Sequence, residues 1–288
     1  FISNSEQETF KQIRKLFEFL PSNYRETPQT TYSVEPNIEK FDVTSILPED
    51  PKKPYDIRDI VASIVDKSEF FEVQSGWASN IVVGFAHMDG KPVGIVANQP
   101  LILAGVLDVD SSDKASRFVR FCDSFNIPLL SFVDMPGYLP GIDQEYSGII
   151  RHGAKLLYSY SEATVPKLTL IIRKAYGGGY IAMCSKHLGA DVVYAWPTAE
   201  IAVMGPEGAA NIIFRKEILN SPNPAEMRKI KIKEYTEKFA NPYIAASRGY
   251  VDAVINPDET RKNIILGLNF IIDKKKSLPD KKHGNIPL

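Results

Sequence analysis

Three consecutive glycines, Gly177 to Gly179, are the residues of this sequence whose type and spacing best suit chemistry. They follow a β-branched apolar run at 168–172 and precede a stretch at 180–187 that contains no helix breaker. A strand-to-helix turn without side chains leaves backbone N–H groups accessible at the positive end of a helix dipole. Such groups suit an oxyanion hole or a phosphate cradle. A turn that needs glycine only for tight packing has the same sequence, so the turn alone leaves both interpretations open.

A dinucleotide-binding fingerprint is the competing interpretation of this turn, because Gly177, Gly179 and Ala182 fit the pattern G-x-G-x-x-G/A. That pattern belongs in the first βαβ unit, whereas this one lies past mid-chain. Its acidic partner should end the next strand, whereas Glu200 falls beyond Trp196 and Pro197. No Walker phosphate loop occurs either. The sequence therefore argues against nicotinamide, flavin or nucleoside triphosphate binding.

Side chains offer little catalytic chemistry. The four histidines have no metal-like spacing, and no metal site is predicted; they are His87, His152, His187 and His283. No G-x-S-x-G elbow is present. Three acidic residues flank the loop 136–141 and suit either acid/base work or strand-end and capping roles; they are Asp134, Asp143 and Glu145. An enzyme with this sequence would rest on backbone donors and on a cofactor that brings its own base.

Composition describes an ordinary globular protein of 288 residues, 44% hydrophobic and 24% charged. A formal net charge of −1 gives no bulk attraction to nucleic acid or to an anionic membrane. Cys122 and Cys184 lie in apolar surroundings, which favours a reducing, cytoplasmic location over a disulfide framework. No apolar run is long enough to span a membrane and no signal peptide is visible. Because the chain begins with Phe1, we expect a fragment or a processed form.

Periodicity and breakers predict an α/β chain in which strands and helices alternate. The predicted helices are 6–20, 56–65, 115–125, 144–161, 180–187, one that opens at 205–208, and 225–240. The predicted strands are 80–87 and 92–98, joined by a type I′ turn at Asp89 and Gly90, then 129–133, 168–172, 191–196 and 200–204. Six prolines make 21–54 an extended connector, and the lysines at 274–276 and 281–282 predict a mobile basic tail.

Long motifs give the sequence a family resemblance that covers roughly residues 50–288. The motifs are SFVDMPGYLPG at 131–141, GIIRHGAKLLY at 148–158, EATVPK at 162–167, RKAYGG at 173–178, YAWPTAEIAVMG at 194–205, RGYVD at 248–252 and KHGNIPL at 282–288. Together they resemble the β-type carboxyltransferase subunit of biotin-dependent acyl-CoA carboxylases, with the propionyl-CoA and acetyl-CoA enzymes as the nearest kin.

The resemblance implies a crotonase/ClpP-like superhelix of β-β-α units. It also implies that residues 1–54 are a helix and an interdomain linker, that 55–288 are the C-terminal carboxyltransferase domain, and that the family's N-terminal domain is absent from this chain. The family works as a hexamer built from dimers, in which the two domains of different subunits form the active site. Its partners are the acyl-CoA substrate, a biotin carboxylase subunit and a carrier protein that brings carboxybiotin, with no nucleic acid or membrane.

The mechanism implied by the resemblance fits the glycine turn. Carboxybiotin releases CO2, two backbone amides hold the resulting ureido oxyanion, and the biotin nitrogen takes the α-proton of the acyl-CoA. Those amides map onto Gly178 and Gly179, the expected catalytic residues. Many relatives carry Ala at the position of Gly179, which leaves the amide donor intact. The expected substrate- and biotin-binding residues are Tyr176, Gly177, Tyr180, Ile181, Pro136 and Gly137.

Acyl specificity and the direction of reaction stay open at this point. Dedicated propionyl-CoA enzymes carry Asp where this chain has Ile181, so isoleucine favours acetyl-CoA or mixed specificity. The α-subunits of biotin-dependent methylmalonyl-CoA and glutaconyl-CoA decarboxylases use a similar oxyanion hole for the reverse chemistry. A catalytically silent assembly domain is the third hypothesis, from a different class of protein.

Overall fold

The computed structural model describes residues 1–37, 39–50, 53–281 and 283–288, so Pro51 of the predicted connector and Lys282 of the predicted tail lie outside the described residues. Its β-strands are β1 (Phe71–Val73), β2 (Ile81–Met88), β3 (Lys91–Asn98), β4 (Leu129–Met135), β5 (Lys167–Tyr176), β6 (Val192–Ala195), β7 (Glu200–Ala202) and β8 (Ala253–Val254). Its α-helices are α1 (Glu6–Phe17), α2 (Val43–Ile46), α3 (Ile57–Ile64), α4 (Val109–Ser124), α5 (Ile142–Tyr146), α6 (Ile149–Glu162), α7 (Gly177–Ala182), α8 (Pro206–Ile213), α9 (Arg215–Leu219), α10 (Pro224–Phe239), α11 (Pro242–Ser247) and α12 (Thr260–Ile271).

All eight of these strands belong to one sheet, with the order β1-β2-β3-β4-β5-β6-β8 and β7 paired with β5. The first three strands are antiparallel and the later pairs are parallel. The ten-residue strand β5 serves two partners, since Leu168 opposes Val192 of β6 while Lys174 opposes Glu200 of β7. The carboxyl end of β5 therefore projects beyond β6. The chain that follows β6 returns as β7 and pairs with that projecting end.

Helices cover both faces of the sheet, which explains why β4 is buried at every position. Leu129 and Val133 face a cluster that includes residues of α4 and α6, whereas Leu130 and Phe132 face a cluster that includes residues of α3 and α12. This alternation is the period of two that a pleated strand imposes. The parallel strands end together at one edge of the sheet, so the loops that follow them meet there.

The hairpin between β2 and β3 closes through the predicted type I′ turn, because both Asp89 (φ 53°) and Gly90 (φ 74°) adopt the left-handed conformation. The buried Asp66 carboxylate accepts hydrogen bonds from the amides of Asp89 (3.0 Å) and Gly90 (2.7 Å) and pairs with Arg261 at 2.9 Å. Thr31 of the connector donates its amide to the Gly90 carbonyl at 2.8 Å. The hairpin end of the molecule is thus closed by polar contacts.

Most predicted elements are confirmed, and three predictions are wrong. The helix predicted at 144–161 is two helices, interrupted at Gly148, whose φ is 83°. The helix predicted at 180–187 begins earlier, at Gly177, and ends at Ala182. Cys184 at φ 63° carries the chain out of the helix. The lysines predicted to form a mobile tail are partly docked, since Lys274 and Lys281 form ion pairs with Asp191 and Glu162.

Candidate active site

The glycine turn lies at the carboxyl end of β5 and forms the first turn of α7. Gly177 has φ 56°, and a Cβ built on it would lie 2.9 Å from the Val203 carbonyl oxygen. Both its conformation and the closeness of this backbone atom require glycine at this position. This carbonyl belongs to the residue directly after β7. The pairing of β7 with the projecting end of β5 therefore fixes where the glycine turn begins.

The amides of Gly178 and Gly179 are available to a ligand. A helix has no internal acceptors for the N–H groups of its first turn. No side chain caps α7, and no carbonyl or side chain in the described part of the sequence accepts a hydrogen bond from either amide. Gly178 is exposed, and a Cβ built on it meets no atom within 4 Å. Gly179, the next residue of α7, is buried. The turn therefore offers two backbone donors, and open space lies beside the first of them, Gly178.

The loop that follows β4 packs directly against this turn. A Cβ built on Gly179 would lie 3.1 Å from Gly137 Cα and 2.2 Å from the terminal methyl of Met135. Gly137 has φ 140°, and its carbonyl accepts the Leu107 amide at 3.1 Å. The structure thus brings Pro136 and Gly137 next to Gly179, although about forty residues separate them in sequence.

Tyr176 supports the turn from inside the protein. Its buried hydroxyl donates a hydrogen bond to Glu200, and its ring lies against Gly205, on which a built Cβ would be 3.1 Å from the ring. Burial, reinforced by the Glu200 carboxylate, raises the pKa of Tyr176 far above its ordinary value. The hydroxyl therefore stays protonated, and its proton is engaged in the hydrogen bond to Glu200. Glu200, considered above as the acidic partner of a dinucleotide fingerprint, is engaged in this contact.

Tyr180 and Ile181 lie on the inner side of α7. Tyr180 is buried, its hydroxyl has no partner within the described ranges, and burial raises its pKa to about 12. Its ring meets the edge of His187, which in turn stacks on Tyr250 with ring centres 4.9 Å apart. Ile181 is half-buried against the apolar cluster shared with α4 and α6. Their contact with substrate or biotin stays a prediction.

The acidic residues around loop 136–141 do not form an acid/base pair. Asp134 is buried, with its carboxylate bonded to Arg173 Nε at 2.8 Å and to the Lys174 amide at 3.1 Å. Asp143 and Glu145 are exposed on α5. Sequence reasoning missed the Asp134–Arg173 pair, although an aspartate and an arginine near the ends of two apolar strands are a detectable signal. In the described sequence, no group of three or more His, Cys, Asp and Glu side chains is arranged to hold a metal ion.

A family model described as carboxyl transferase domain matches residues 1–286. The chain belongs to the carboxyl transferase family. It is 56% identical to the propionyl-CoA carboxylase carboxyltransferase subunit of Haloferax mediterranei, with all of this chain and 56% of that protein aligned. It is also 56% identical to the methylmalonyl-CoA decarboxylase α-subunit of Propionigenium modestum, again over all of this chain and 56% of that protein. The chain thus spans about half the length of the curated relatives it matches.

Solved structures of carboxyl transferase family members share the fold. The transcarboxylase 12S hexamer, determined with methylmalonyl-CoA and methylmalonic acid bound, superposes with a TM-score of 0.94 at 54% identity, covering 100% of this chain and 55% of that one. The geranyl-CoA carboxylase β-subunit of P. aeruginosa superposes at 0.73 with 26% identity, covering 98% and 54%. The predicted crotonase-like α/β fold is confirmed. Across the described residues, no helix is both long and apolar enough to cross a membrane.

Proposed function

We propose that this chain carries out the carboxyltransferase half-reaction of a biotin-dependent acyl-CoA carboxylase. The reaction moves a carboxyl group from carboxybiotin to the α-carbon of acetyl-CoA or propionyl-CoA. The observation that carries the proposal is the pair of amides at Gly178 and Gly179, which have no acceptor in the described chain, with open space beside the exposed Gly178. Membership of the carboxyl transferase family gives these donors a matching reaction, because carboxyl transfer creates negative charge on an oxygen.

The donor set fits biotin. A ureido oxygen that gains negative charge needs N–H donors, and the Gly178 and Gly179 amides supply them at the positive end of α7. Around Gly178 and Gly137 a built Cβ meets no atom within 4 Å, so a ring has room to approach the backbone. When bound, biotin supplies the transferable carboxyl group and a basic ring nitrogen. The chain's own part is to bind the oxygen, hold its charge and orient the ring.

The size of this contribution can be bounded. Preorganised donors aimed at a developing oxyanion act without reorganisation during the reaction, and removing one such donor typically costs about 10²–10³ in rate. The Tyr176–Glu200 hydrogen bond and the Val203 carbonyl hold the turn in place before a ligand arrives. These contacts support a turn that is formed before the ligand binds, as this type of catalysis requires.

The domain organisation is part of the same proposal. We infer that residues 1–54 are a helix and linker and that 55–288 are the C-terminal of two crotonase-like domains, the other of which holds most of the acyl-CoA. That this chain aligns with only 56% of the propionyl-CoA carboxylase subunit supports the arrangement. The hexamer described for transcarboxylase 12S supports a hexameric enzyme. A cytoplasmic location and service by biotin carboxylase and carrier subunits belong to the same proposal.

The test is an assay of the complete polypeptide, with both domains present. Biotin-dependent decarboxylation of malonyl-CoA isolates the half-reaction, and ATP-dependent carboxylation of acetyl-, propionyl- and butyryl-CoA with the partner subunits measures specificity. We expect turnover that requires biotin and discriminates by acyl length. A folded, oligomeric enzyme without biotin-dependent turnover would favour the silent assembly domain and contradict the proposal.

A decarboxylase α-subunit is the second candidate, favoured by the equal 56% identity to the Propionigenium modestum protein. The same two amides would serve the reverse reaction, so the chain's residues do not separate the candidates. The partner does. Co-purification with a membrane subunit and sodium-dependent decarboxylation of methylmalonyl-CoA would favour this candidate, whereas co-purification with a biotin carboxylase would favour the first.

A further inference from the structure

The ladder between β4 and β5 is irregular where the two strands approach the glycine turn. Val133 opposes Ile171, but the next pair is Met135 with Ala175, so β5 contains two more residues than β4 over this interval. Such bulges bend a strand and re-aim the chain that follows it. Here the chains that follow are the Met135–Gly137 loop and the Gly177–Gly179 turn, which together form the candidate site.

The Asp134 carboxylate fills this irregular position. One oxygen accepts from Arg173 Nε at 2.8 Å and the other from the Lys174 amide at 3.1 Å. The Asp134 amide donates to Asn98 Oδ1 at 3.4 Å, which adds the end of β3. Asp134 and Arg173 are only 2% and 5% exposed. The carboxylate therefore joins β4 to β5 where the regular pairing is interrupted, and the backbone amide of the same residue adds the contact with β3.

Arg173 extends the same contact to the connector. Its terminal nitrogen donates to the Lys53 carbonyl at 3.1 Å, and its guanidinium lies over the Tyr55 ring, 4.7 Å from the ring centre. The connector and the strands that lead into both loops are thus joined through one buried pair. Because the guanidinium is rigid and makes several directional contacts, the pair holds a defined geometry rather than only a charge balance.

We propose that Asp134 is a positioning residue whose carboxylate sets the spacing between the Met135–Gly137 loop and the Gly178 and Gly179 amides. The inference rests on the proposed function of those amides. Asp134 is three residues before Gly137, and Lys174 is three residues before Gly177. A displacement of the Asp134 carboxylate is therefore transmitted over only three residues to the Met135–Gly137 loop and to the glycine turn. A displacement of about 1 Å in a preorganised site costs about 10² in rate.

Asp66 provides a matched control elsewhere in the fold. It is 4% exposed, accepts two backbone amides at the hairpin turn and pairs with Arg261 at 2.9 Å. The chemistry of the two carboxylates is alike, but Asp66 lies at the opposite end of β3 from Asp134. A role in stability alone would make the two residues behave alike when each is replaced by asparagine.

The test compares Asp134→Asn with Asp66→Asn in the complete enzyme. Asparagine has one acceptor oxygen, so Asp134→Asn cannot accept from Arg173 and from the Lys174 amide at separate oxygens. We expect kcat for biotin-dependent malonyl-CoA decarboxylation to fall about 10²-fold, with KM for the acyl-CoA changed less than about twofold. Hydrogen exchange across 174–180 should become faster. Asp66→Asn should lose comparable thermal stability but keep kcat.

A second variant covers the case in which Asp134→Asn does not fold. Arg173→Lys keeps the charge and leaves Asp134 bonded to the Lys174 amide, so we expect a folded enzyme with several-fold lower kcat and faster exchange across 174–180. An unchanged kcat in the folded Asp134 variant, or in Arg173→Lys if the former does not fold, would overturn the inference. So would an equal kcat loss in Asp66→Asn. A wild-type enzyme without biotin dependence would instead overturn the proposed function.

Discussion

Asp134 and Asp66 lie at opposite ends of β3, roughly 23 Å apart along the eight-residue strand. Each is a buried carboxylate that pairs with an arginine; Asp66 accepts two backbone amides and Asp134 accepts one. At the hairpin end, the contacts close a turn and attach the connector to it. At the carboxyl end, the contacts join β4 to β5 just before the two loops of the candidate site. The comparison teaches that the same local chemistry serves stability at one end and geometry at the other.

The backbone donors differ in the same way. At the hairpin end, the Asp89 and Gly90 amides both have a carboxylate acceptor. At the carboxyl end, the Gly178 and Gly179 amides have none within the part of the chain that the structure describes. Unsatisfied buried donors are costly, so a fold keeps them only where a ligand or solvent completes them. That contrast distinguishes a binding site from a structural turn more sharply than the glycines themselves do.

The largest effect is expected from Gly178→Pro, which removes one donor from the carboxyl end. A Cβ at this position meets no atom within 4 Å, so the Cβ itself causes no crowding. Proline also restricts the preceding residue, so the fold of the turn must be checked together with the rate. We expect biotin-dependent decarboxylation of malonyl-CoA by the complete enzyme to fall about 10²–10³-fold. The matched control, Gly178→Ala, keeps the donor and should stay near the wild-type rate. Equal rates for the folded proline and alanine variants, checked by circular dichroism, would remove Gly178 from the site.

Ile181→Asp should change specificity rather than overall turnover. Ile181 is half-buried against an apolar cluster, so an aspartate must find water or a hydrogen-bond donor there. We expect the ratio of kcat/KM for acetyl-CoA over propionyl-CoA to fall by no more than about 200-fold. The gain or loss of one small apolar contact changes such ratios by about 10–200-fold. Ile181→Leu is the control and should leave the ratio nearly unchanged. If Ile181→Asp also leaves it unchanged, the side chain does not face the acyl group.

Gly90→Ala tests the hairpin end. Gly90 has φ 74°, and a Cβ there would lie 2.0 Å from the Thr31 carbonyl oxygen, so the connector must move. We expect the free energy of unfolding to fall by about 1–3 kcal/mol while turnover stays unchanged. Gly76→Ala, whose Cβ comes no closer than 3.7 Å to Ile2, should change stability by less than about 0.5 kcal/mol. A loss of turnover without a loss of stability at Gly90 would contradict the division between the two ends.

Local signals explain what the sequence could predict. The Asp89–Gly90 hairpin and the strand before Gly177 follow from turn chemistry and apolar runs within a few residues. The end of α7 could not be predicted in this way. Cys184 adopts φ 63°, a left-handed conformation that cysteine does not favour. Tertiary packing, not local preference, decides such a position.

Contacts that depend on strand register could not be predicted in the same way. Asp134 and Arg173 are 39 residues apart, and they meet because β4 and β5 pair in parallel with two extra residues in β5. A one-residue difference in register would turn these side chains to the other face. The family resemblance indicated the Gly178 and Gly179 amides, which are backbone groups, but it did not indicate the Asp134 carboxylate between β4 and β5.

The smallest effect is expected from Gly179→Ala, which separates donor loss from crowding at the same site. The N–H group remains, but the new Cβ would lie 2.2 Å from the Met135 methyl and 2.5 Å from its sulfur. Methionine is flexible, so its side chain should move aside rather than displace the loop. We expect kcat within about threefold of wild type and a stability loss below about 1.5 kcal/mol. Gly179→Val is the contrasting variant, because it adds two methyl groups to a Cβ position that already lies 3.1 Å from Gly137 Cα. If Gly179→Ala lowers kcat as much as Gly178→Pro does, the spacing between loop and turn matters more than the number of donors. The glycine turn would then have to be understood chiefly as a requirement for close approach.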